Sequence, residues 1–254
     1  MTYVDAMADG SDIEWTEATW NPTTGCDRIS PGCDNCYALK LAKRLKAMGN
    51  PKYQEDGNPR TSGPGFAVTE HSVALDIPRR WSAPRVIFVD SMSDLFHARV
   101  SSSFIRDVFQ VMEETPRHTY QLLTKRPRRA VRMAAELPWP SNVWLGVSVE
   151  TTEQLWRLDE LRKVPATTRF VSAEPLLGSL SGLNLSGMHW LIAGGESGPH
   201  HRSLDPQWVR ELRDESHDQG VAFFFKQWGG RTPKSGGREL DGRLWNEMPL
   251  AMRA

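Results

Sequence analysis

The sequence is poor in the features that assign a chain to the commoner functional classes. Its 254 residues contain no apolar run of about 18 residues, so no transmembrane helix is predicted. The N-terminal segment is acidic and lacks the apolar core of a secretory signal, which predicts a cytoplasmic protein. Basic and acidic residues number 31 each, so no overall positive charge indicates a protein that coats nucleic acid. The chain has neither a Walker motif nor a GxGxxG motif, so an ordinary ATP or NAD site is not predicted.

Cysteine is scarce, and its three occurrences fall close together. Cys26, Cys33 and Cys36 have the spacing Cys-x6-Cys-x2-Cys. An odd number of clustered cysteines is a poor disulfide framework, and in a cytosolic chain it indicates metal binding or catalysis. Gly25 and Gly32 directly precede two of the cysteines, so the loop can fold back until the three sulfur atoms face one point. Thiolates are soft ligands that favour iron–sulfur clusters or zinc.

Three interpretations of the cysteines are open. A structural zinc site takes four ligands and needs a fourth from elsewhere, for which His71 and His97 are candidates. Three buried cysteines without a metal are the second interpretation, although the Gly-, Pro- and Asp-rich segment does not resemble a core strand. A four-iron cluster takes one ligand per iron, so three cysteines leave one iron open to an exogenous molecule. We favour the cluster.

The rest of the chain alternates short apolar runs with helical patterns. The apolar runs are continuous, which is typical of strands buried on both faces, and they cover 85–90, 119–124, 142–149, 168–173, 189–195 and 221–226. Helices are predicted after the cysteines over 37–48 and between the later runs over 103–114, 128–137, 152–163 and 206–219. This α/β alternation predicts a parallel sheet with right-handed crossovers, either a barrel or a doubly wound sheet.

Polar residues follow every predicted strand, at the end where an α/β barrel has its active site. They are Asp90, Ser91, Ser93, Asp94 and His97; Thr124, Lys125 and Arg126; Ser148 and Glu150; Ser172 and Glu174; Gly194, Gly195, Glu196 and Ser197; Lys226, Gln227 and Trp228. Any one of them is explicable as a helix N-cap, but six groups in succession predict a shared cavity. The convergence of Glu150, Glu174 and Glu196 predicts neighbouring cations, or a zwitterionic or cationic ligand. The paired glycines Gly194 and Gly195 would let a ligand approach the backbone.

The cysteine segment resembles that of the radical SAM superfamily. In that superfamily three clustered cysteines hold a [4Fe-4S] cluster, and its open iron binds S-adenosylmethionine (SAM). The usual spacing is Cys-x3-Cys-x2-Cys, so this chain keeps the second interval and lengthens the first. Asn35 stands where an aromatic residue usually precedes the third cysteine.

The order of later motifs is similar to the branch that contains spore photoproduct lyase. The motifs are SMSDLF, LLTKRP, GVSVE and a Glu-Pro after the next strand, and the resemblance covers about residues 20–180. It implies a partial TIM-type (β/α)6 barrel with parallel strands as one domain over 1–230, with a cluster loop at 20–37. The tail 231–254 is expected to pack on or beside this barrel.

The resemblance also implies roles for the strand-end residues. Lys125, within a Thr124-Lys125 pair, would bind the SAM carboxylate, and Ser148 would contact SAM. Ser91, Ser93 and Asp94 would lie at the SAM amino group. Glu150 is expected at the ribose or amino group, with Gly194 and Gly195 completing the cofactor site. Glu174, Glu196, Lys226 and the stretch 200–202 would face the substrate. The candidate catalytic residues are Lys125, Glu150, Glu174 and Glu196.

The chain also resembles, over about residues 13–230, a phage-associated radical-SAM-like family encoded beside a three-Cys-motif partner protein. The motifs that carry this resemblance are WNPTTGC, SMSDLFH, LLTKRP, GVSVE, SAEPLLG and AGGESG. Together the resemblances imply an enzyme of lyase or transferase type that cleaves SAM to a 5′-deoxyadenosyl radical. The implied partners are an electron donor such as ferredoxin or flavodoxin and a nucleic-acid substrate, with the basic runs 125–129 and 78–81 as candidate phosphate contacts. A protein or small molecule delivered by the partner is the other substrate option. A non-enzymatic zinc or iron–sulfur protein that binds nucleic acid or assists a phage system is the alternative function.

Overall fold

The structure, a computed structural model, describes residue 11 and residues 13–249. Within them, eleven strands form one large sheet and two small ones. In chain order they are β1 (Ala18–Trp20), β2 (Thr23–Thr24), β3 (Thr69–Glu70), β4 (Val86–Val89), β5 (Thr119–Thr124), β6 (Val143–Ser148), β7 (Thr168–Ala173), β8 (Trp190–Gly194), β9 (Ala222–Gln227), β10 (Glu239–Leu240) and β11 (Arg243–Leu244). The helices are α1 (Tyr37–Ala47), α2 (Ile77–Arg80), α3 (Ser102–Glu114), α4 (Pro127–Met133), α5 (Trp156–Arg162) and α6 (Pro206–Asp218). Short 3₁₀ turns cover Pro31–Cys33, Pro51–Tyr53, Ser72–Ala74 and Thr152–Gln154.

The large sheet has the strand order β1-β4-β5-β6-β7-β8-β9, and every neighbouring pair is parallel. It curls into a half-barrel with helices outside, which confirms the predicted partial TIM-type barrel. All six predicted strands are present. β1 is a seventh, and its three residues are too few to show a periodic pattern in the sequence.

Side chains that point into the half-barrel form two layers. The lower layer, here called the aromatic floor, is an apolar cluster of Trp15, Phe88, Trp144, Phe170, Trp190, Ile192 and Phe224. Side chains alternate along a strand, so residues two or four positions later point the same way. Ser148, Ser172 and Lys226 stand at such positions after an aromatic residue. The layer above the aromatic floor is therefore polar.

The outer face of the sheet packs against the helices. α3 begins after Ser101, whose hydroxyl accepts a hydrogen bond from the backbone N–H of Phe104 at 3.2 Å. One side of α3 is buried, and it carries the apolar spacing that predicted the helix, through Phe104, Ile105, Val108, Phe109 and Met112. This face shares one apolar core with residues of the sheet, which holds the helix against the outer side of the sheet. No helix in the described residues is long and apolar enough to cross a bilayer.

The segment after β9 covers that edge strand. Trp245 is buried, and its carbonyl oxygen accepts a hydrogen bond from the backbone N–H of Phe225 at 2.9 Å. Arg238 donates to the carbonyl oxygen of Lys226 at 2.9 Å. Such contacts shield the unpaired edge of β9. The expected barrel domain (1–230) begins outside the described residues, and the expected tail (231–254) ends outside them. This division of the chain stays a prediction.

Candidate functional site

A cavity of about 990 Å³ opens at the C-terminal ends of the sheet strands, above Trp15 and Phe88 of the aromatic floor. Most of the predicted site residues line it: Cys26, Cys33, Cys36, Ser91, Ser93, Asp94, Lys125, Ser148, Glu174, Gly195 and Glu196. Thr124, Glu150 and Gly194 are buried behind its wall. The structure thus brings the predicted set together, and it separates the residues that face the cavity from those that hold them in place.

The three cysteines lie on the cluster loop, which connects β1 to α1. Gly25, which precedes Cys26, has a φ of +84°, and a Cβ at this position would fall 1.9 Å from the carbonyl oxygen of Ala67. Only glycine fits both this left-handed backbone and this close approach. Cys33 ends a 3₁₀ turn, and Cys36 directly precedes α1. None of the three is in a disulfide, and all three line the same cavity.

Arg126 brings positive charge to the first cysteine. Its Nη1 lies 3.3 Å from the Sγ of Cys26, and its Nη2 donates to the carbonyl oxygen of Asp27 at 2.9 Å. Burial raises the pKa of the Cys26 thiol to about 12, and the charge of Arg126 acts against that rise. Burial also raises the pKa of Cys36. Arg126 therefore stands where it would counter the negative charge of a thiolate bound to metal.

The donor set fits an iron–sulfur cluster with three protein ligands. Among the described residues, no three Cys, His, Asp or Glu side chains gather in a way that could hold a single metal ion. The two histidines considered as a fourth zinc ligand have other partners, since His97 Nε2 lies 3.0 Å from Asp27 and His71 Nε2 lies 2.8 Å from Thr24. Three cysteines that line one cavity are the number of protein ligands that would leave one iron of a four-iron cluster open to an exogenous ligand.

Glu150 lies under the cluster loop. Its Oε2 accepts from Arg157 at 2.9 Å, and its Oε1 accepts from Ser30 of the loop at 2.8 Å and also contacts Lys125. A Cβ on Gly32 would fall 2.5 Å from Glu150 Cγ, so the loop packs directly on this side chain. Burial would raise the pKa of Glu150, but the charges of Lys125 and Arg157 hold it below its usual value. From this position Glu150 anchors the loop, and its expected contact with the ribose or amino group of SAM stays a prediction.

Glu196 holds the same loop from the end of β8. Its Oε1 accepts from Arg202 Nη2 at 2.6 Å, and its Oε2 accepts from Asn35 at 2.9 Å. Arg202 also donates to the carbonyl oxygen of Pro31 at 2.8 Å. Burial would raise the pKa of Glu196, but hydrogen bonds from Arg202 and Asn35 hold it below its usual value. Arg202 was expected on the substrate side as part of the stretch 200–202, and its bond to the cluster loop was not predicted. The bond of Asn35 was not predicted either, and its one available signal was that Asn35 replaces the usual aromatic residue.

Asp94 is engaged on both carboxylate oxygens. Its Oδ1 accepts from the hydroxyl of Thr124 at 2.8 Å. Its Oδ2 accepts from Arg126 Nη1 at 2.8 Å and from the backbone N–H of Lys125 at 3.2 Å. Thr124 therefore orients Asp94, and Asp94 orients the guanidinium that lies beside Cys26.

Asp90 was predicted to line a shared cavity from its strand-end position, and it does so beside Ser91 and Ser93, but no role toward SAM or the substrate was predicted for it. Its carboxylate accepts from the backbone N–H and the hydroxyl of Thr23 at 3.0 and 2.8 Å, and its φ is +59°. Burial raises the pKa of Asp90 to about 7. The hydroxyls of Ser91 and Ser93 bond Asn21 and Thr23 at 3.1 and 2.5 Å.

Glu174 and Lys226 form an ion pair in the cavity wall. The pair joins the ends of β7 and β9 across β8, with 3.0 Å between Oε1 and Nζ. A Cβ on Gly194 of β8 would fall 2.8 Å from that Oε1, so glycine leaves room for the carboxylate to cross. A Cβ on Gly195 would fall 2.0 Å from the carbonyl oxygen of Trp228. At the Cβ position both glycines therefore meet the protein itself, and their expected contact with a ligand stays a prediction.

Comparison with solved structures finds spore photoproduct lyase. A tyrosine-to-phenylalanine mutant of that enzyme matches with a TM-score of 0.55 and 12% identity, covering 87% of this chain and 79% of that chain. A cysteine-to-serine mutant matches with a TM-score of 0.49 and 15% identity, covering 81% and 62%. This chain thus spans 62% of the length of the first matched structures. At 12% identity, the match with a TM-score of 0.55 shows a shared fold.

The sequence was also compared with curated proteins and with models of protein families. A search among curated proteins found no match. A family model described as "Protein of unknown function (DUF5131)" matches residues 10–249, which is nearly the whole chain. The cluster loop, the strand-end residues and the cavity all fall within that range. The chain therefore belongs to the DUF5131 family.

Proposed function

We propose that this protein is a radical SAM enzyme in which Cys26, Cys33 and Cys36 hold a [4Fe-4S] cluster. The observation that supports this most directly is the shared cavity, because the three thiols border the same space as the side chains that the motif resemblance assigns to SAM. The fold shared with spore photoproduct lyase is consistent with this chemistry. When bound, the cluster and SAM supply the electron and the carbon radical that removes hydrogen from a substrate.

Lys125 is the proposed partner of the SAM carboxylate. Its ammonium contacts Glu150 behind the wall and is part-exposed to the cavity. An ammonium has three N–H donors, so donors remain for a carboxylate that enters from the cavity side. The hydroxyl of Ser148 borders the same space and would orient SAM.

The SAM amino group is assigned to Ser91, Ser93 and Asp94, as the motif resemblance implies. All three line the cavity and present oxygen acceptors. Asp94 would favour the cationic amino group while it also holds Arg126 beside Cys26. The same carboxylate would thus serve both the cluster side and the SAM side of the cavity.

The pair Glu174–Lys226 is proposed to face the substrate. Ser172 lies 3.2 Å from the second oxygen of Glu174, and the contacts described here leave acceptors on the carboxylate and donors on Lys226 unused. Such a pair would accept from one substrate group and donate to its neighbour. The aromatic floor below it would keep water from a reactive intermediate.

For the substrate we propose a nucleic acid, acted on by an enzyme of lyase or transferase type. The motif order shared with the branch of spore photoproduct lyase supports this choice. The same resemblances support a ferredoxin or flavodoxin as electron donor and a three-Cys-motif protein as partner. The likeness to the phage-associated family supports a role in a phage system.

Iron content and SAM affinity of anaerobically purified protein test the proposal. We expect brown protein with about four irons per chain, and loss of the iron in Cys33→Ala. Lys125→Gln should retain iron and weaken SAM binding roughly tenfold or more, because a charge-assisted hydrogen bond is lost.

Lys226→Gln is the matched control, since Lys226 lines the same cavity but is assigned to the substrate. It should leave SAM affinity within about twofold, because no contact with SAM is removed. Equal SAM affinity in the Lys125 variant and the wild type would contradict the placement of the carboxylate. Colourless protein with stoichiometric zinc would favour the non-enzymatic alternative. Brown protein that does not bind SAM would support the cluster but contradict the SAM-dependent reaction.

A further inference from the structure

The outer face of α1 carries positive charge that is not neutralised within the described residues. α1 contains four basic residues and no acidic one. Lys46 pairs with Asp56 at 2.5 Å. Lys40, Lys43 and Arg44 are exposed, and within the described part of the chain their side chains make no hydrogen bond or ion pair. We call these three cations together with Tyr37 the α1 face.

The charge of the α1 face differs from the charge inside the cavity. There Lys125, Arg126 and Lys226 each pair with a carboxylate. The whole chain has a formal charge of zero, so the α1 face is a local excess of positive charge. Like charges three and four positions apart on a helix repel each other, as Lys40 does with its neighbours. An anionic ligand along this face would relieve that repulsion.

The α1 face adjoins the mouth of the cavity. Tyr37 lines the cavity, and Lys40 and Arg44 follow it by three and seven positions, which places all three along one side of the helix. The Nζ of Lys40 lies 2.7 Å from the point where a Cβ on Gly198 would stand. Lys40 therefore reaches the loop that follows Glu196, a residue of the cavity wall.

Tyr37 adds an aromatic surface among these cations. Its side chain is 52% exposed, although its hydroxyl donates to the carbonyl oxygen of Ser91. The hydrogen bond fixes a ring that is open to solvent on one side. A fixed, exposed ring beside basic side chains is the combination by which proteins bind single-stranded nucleic acid, with a base stacked on the ring and phosphates on the cations.

We propose that the α1 face docks single-stranded nucleic acid and directs it into the cavity. The phosphates contact Lys40, Lys43 and Arg44, and an unpaired base stacks on Tyr37. This proposal rests on the proposed function, since it names the surface through which that site would receive its substrate. It also moves the phosphate contact away from the basic run at 125–129, where Arg126 is turned inward to Asp94.

The test is fluorescence anisotropy of a short fluorescein-labelled oligodeoxythymidine, titrated with the full chain at 50 and 200 mM salt. The variant Lys40→Gln/Lys43→Gln/Arg44→Gln should lose roughly tenfold or more in affinity at low salt. Each phosphate contact on a single strand contributes about 0.7 to the slope of log affinity against log salt. Removal of three contacts should therefore lower that slope by about 2.

The matched control is Arg128→Gln/Arg132→Gln/Lys163→Gln. It removes the same number of positive charges from the exposed surface of α4 and the end of α5. It should bind within about twofold of the wild type, because these cations contact no phosphate in the proposal. The separate variant Tyr37→Ala should lose about fivefold or more through stacking, with an unchanged salt slope.

Three results would overturn the proposal. The first is an affinity of the α1 variant for the oligonucleotide equal to that of the wild type. The second is an equal loss of this affinity in the α1 variant and in the control. The third is binding of polyglutamate by the wild type that is as tight as its binding of the oligonucleotide. The last result would assign the face to an acidic protein. SAM cleavage in the absence of substrate separates this proposal from the function on which it rests. If the wild type binds the oligonucleotide through α1 but does not cleave SAM, the proposed function fails; if it cleaves SAM but α1 variants bind normally, the docking surface fails.

Discussion

Glu150→Gln should destabilise the protein strongly, although the change is nearly isosteric. Glu150 is fully buried, with Arg157 at 2.9 Å and Lys125 in contact. The amide keeps the shape of the side chain but leaves two cations without their counterion. Arg157, only 2% exposed, cannot turn to water, whereas Lys125, 20% exposed, can turn toward the cavity.

The magnitude follows from that difference in exposure. Removal of one member of a buried ion pair costs about 3–5 kcal/mol. Because Lys125 can be solvated from the cavity, we expect the lower end, about 3 kcal/mol. In a chain of this size each kcal/mol lowers the melting temperature by roughly 2–4 °C, so the expected decrease is about 10 °C.

Thermal unfolding of the protein without metal measures this effect apart from any cofactor. The control is Glu114→Gln, which breaks the ion pair with Arg79. The side chains of Glu114 and Arg79 are 42% and 36% exposed. An exposed pair contributes about 0–1 kcal/mol, so the control should melt within about 3 °C of the wild type. Equal decreases in the two variants would refute the assignment of Glu150 as a buried anchor.

The pH dependence gives a second check with a definite sign. The pKa of Glu150 is held below its usual value of 4.5 by Lys125 and Arg157. The stabilisation is therefore present above pH 4.5 and is lost as the pH falls through the lower pKa of the folded state. The difference between wild type and variant should narrow in acid, and a difference that grows there would contradict this electrostatic explanation.

Three further variants test other parts of the site. Asp90 has a pKa raised to about 7, so the folded state keeps a proton that the unfolded state has lost above pH 4. The free energy of unfolding of the wild type should therefore fall by on the order of 3 kcal/mol between pH 5 and 8, and that of Asp90→Asn should not. An equal fall for both proteins in urea unfolding would contradict this. Gly194→Ala should lower the free energy of unfolding by about 1–3 kcal/mol, because the added methyl group would push against Glu174. In a double-mutant cycle, Glu174→Ala should remove most of this loss, and additive effects would show that residues 194 and 174 are not in contact. Arg202→Lys should speed hydrogen exchange in the cluster loop, because the bonds to Glu196 and to the loop are not both retained, and unchanged exchange would exclude this anchor.

The sequence predicted the sheet well because its strands are buried on both faces. A strand such as β6, buried at all six positions, shows as a continuous apolar run. Since the active site of such a sheet lies at one set of strand ends, the residues that follow the runs could be predicted as cavity residues. β1 escaped this reasoning because three residues do not make a run.

The contacts among the polar residues could not be predicted in the same way. Glu150 and Glu174 both follow a strand by one or two positions, yet Glu150 turns under the cluster loop and Glu174 turns across β8. Which way each turns depends on the path of a distant loop and on the glycine at position 194, and neither is visible in the local sequence. The pairing of Asn35 with Glu196 is of the same kind, since the two residues are 161 positions apart.

We propose that Cys26, Cys33 and Cys36 hold a [4Fe-4S] cluster whose open iron binds SAM. Electron paramagnetic resonance of the reduced, anaerobically reconstituted protein, recorded with and without SAM, tests it most directly. We expect the signal of a reduced [4Fe-4S] cluster, and we expect this signal to change when SAM is added. A protein that gives no cluster signal after reconstitution, or a cluster signal that SAM leaves unchanged, would contradict it.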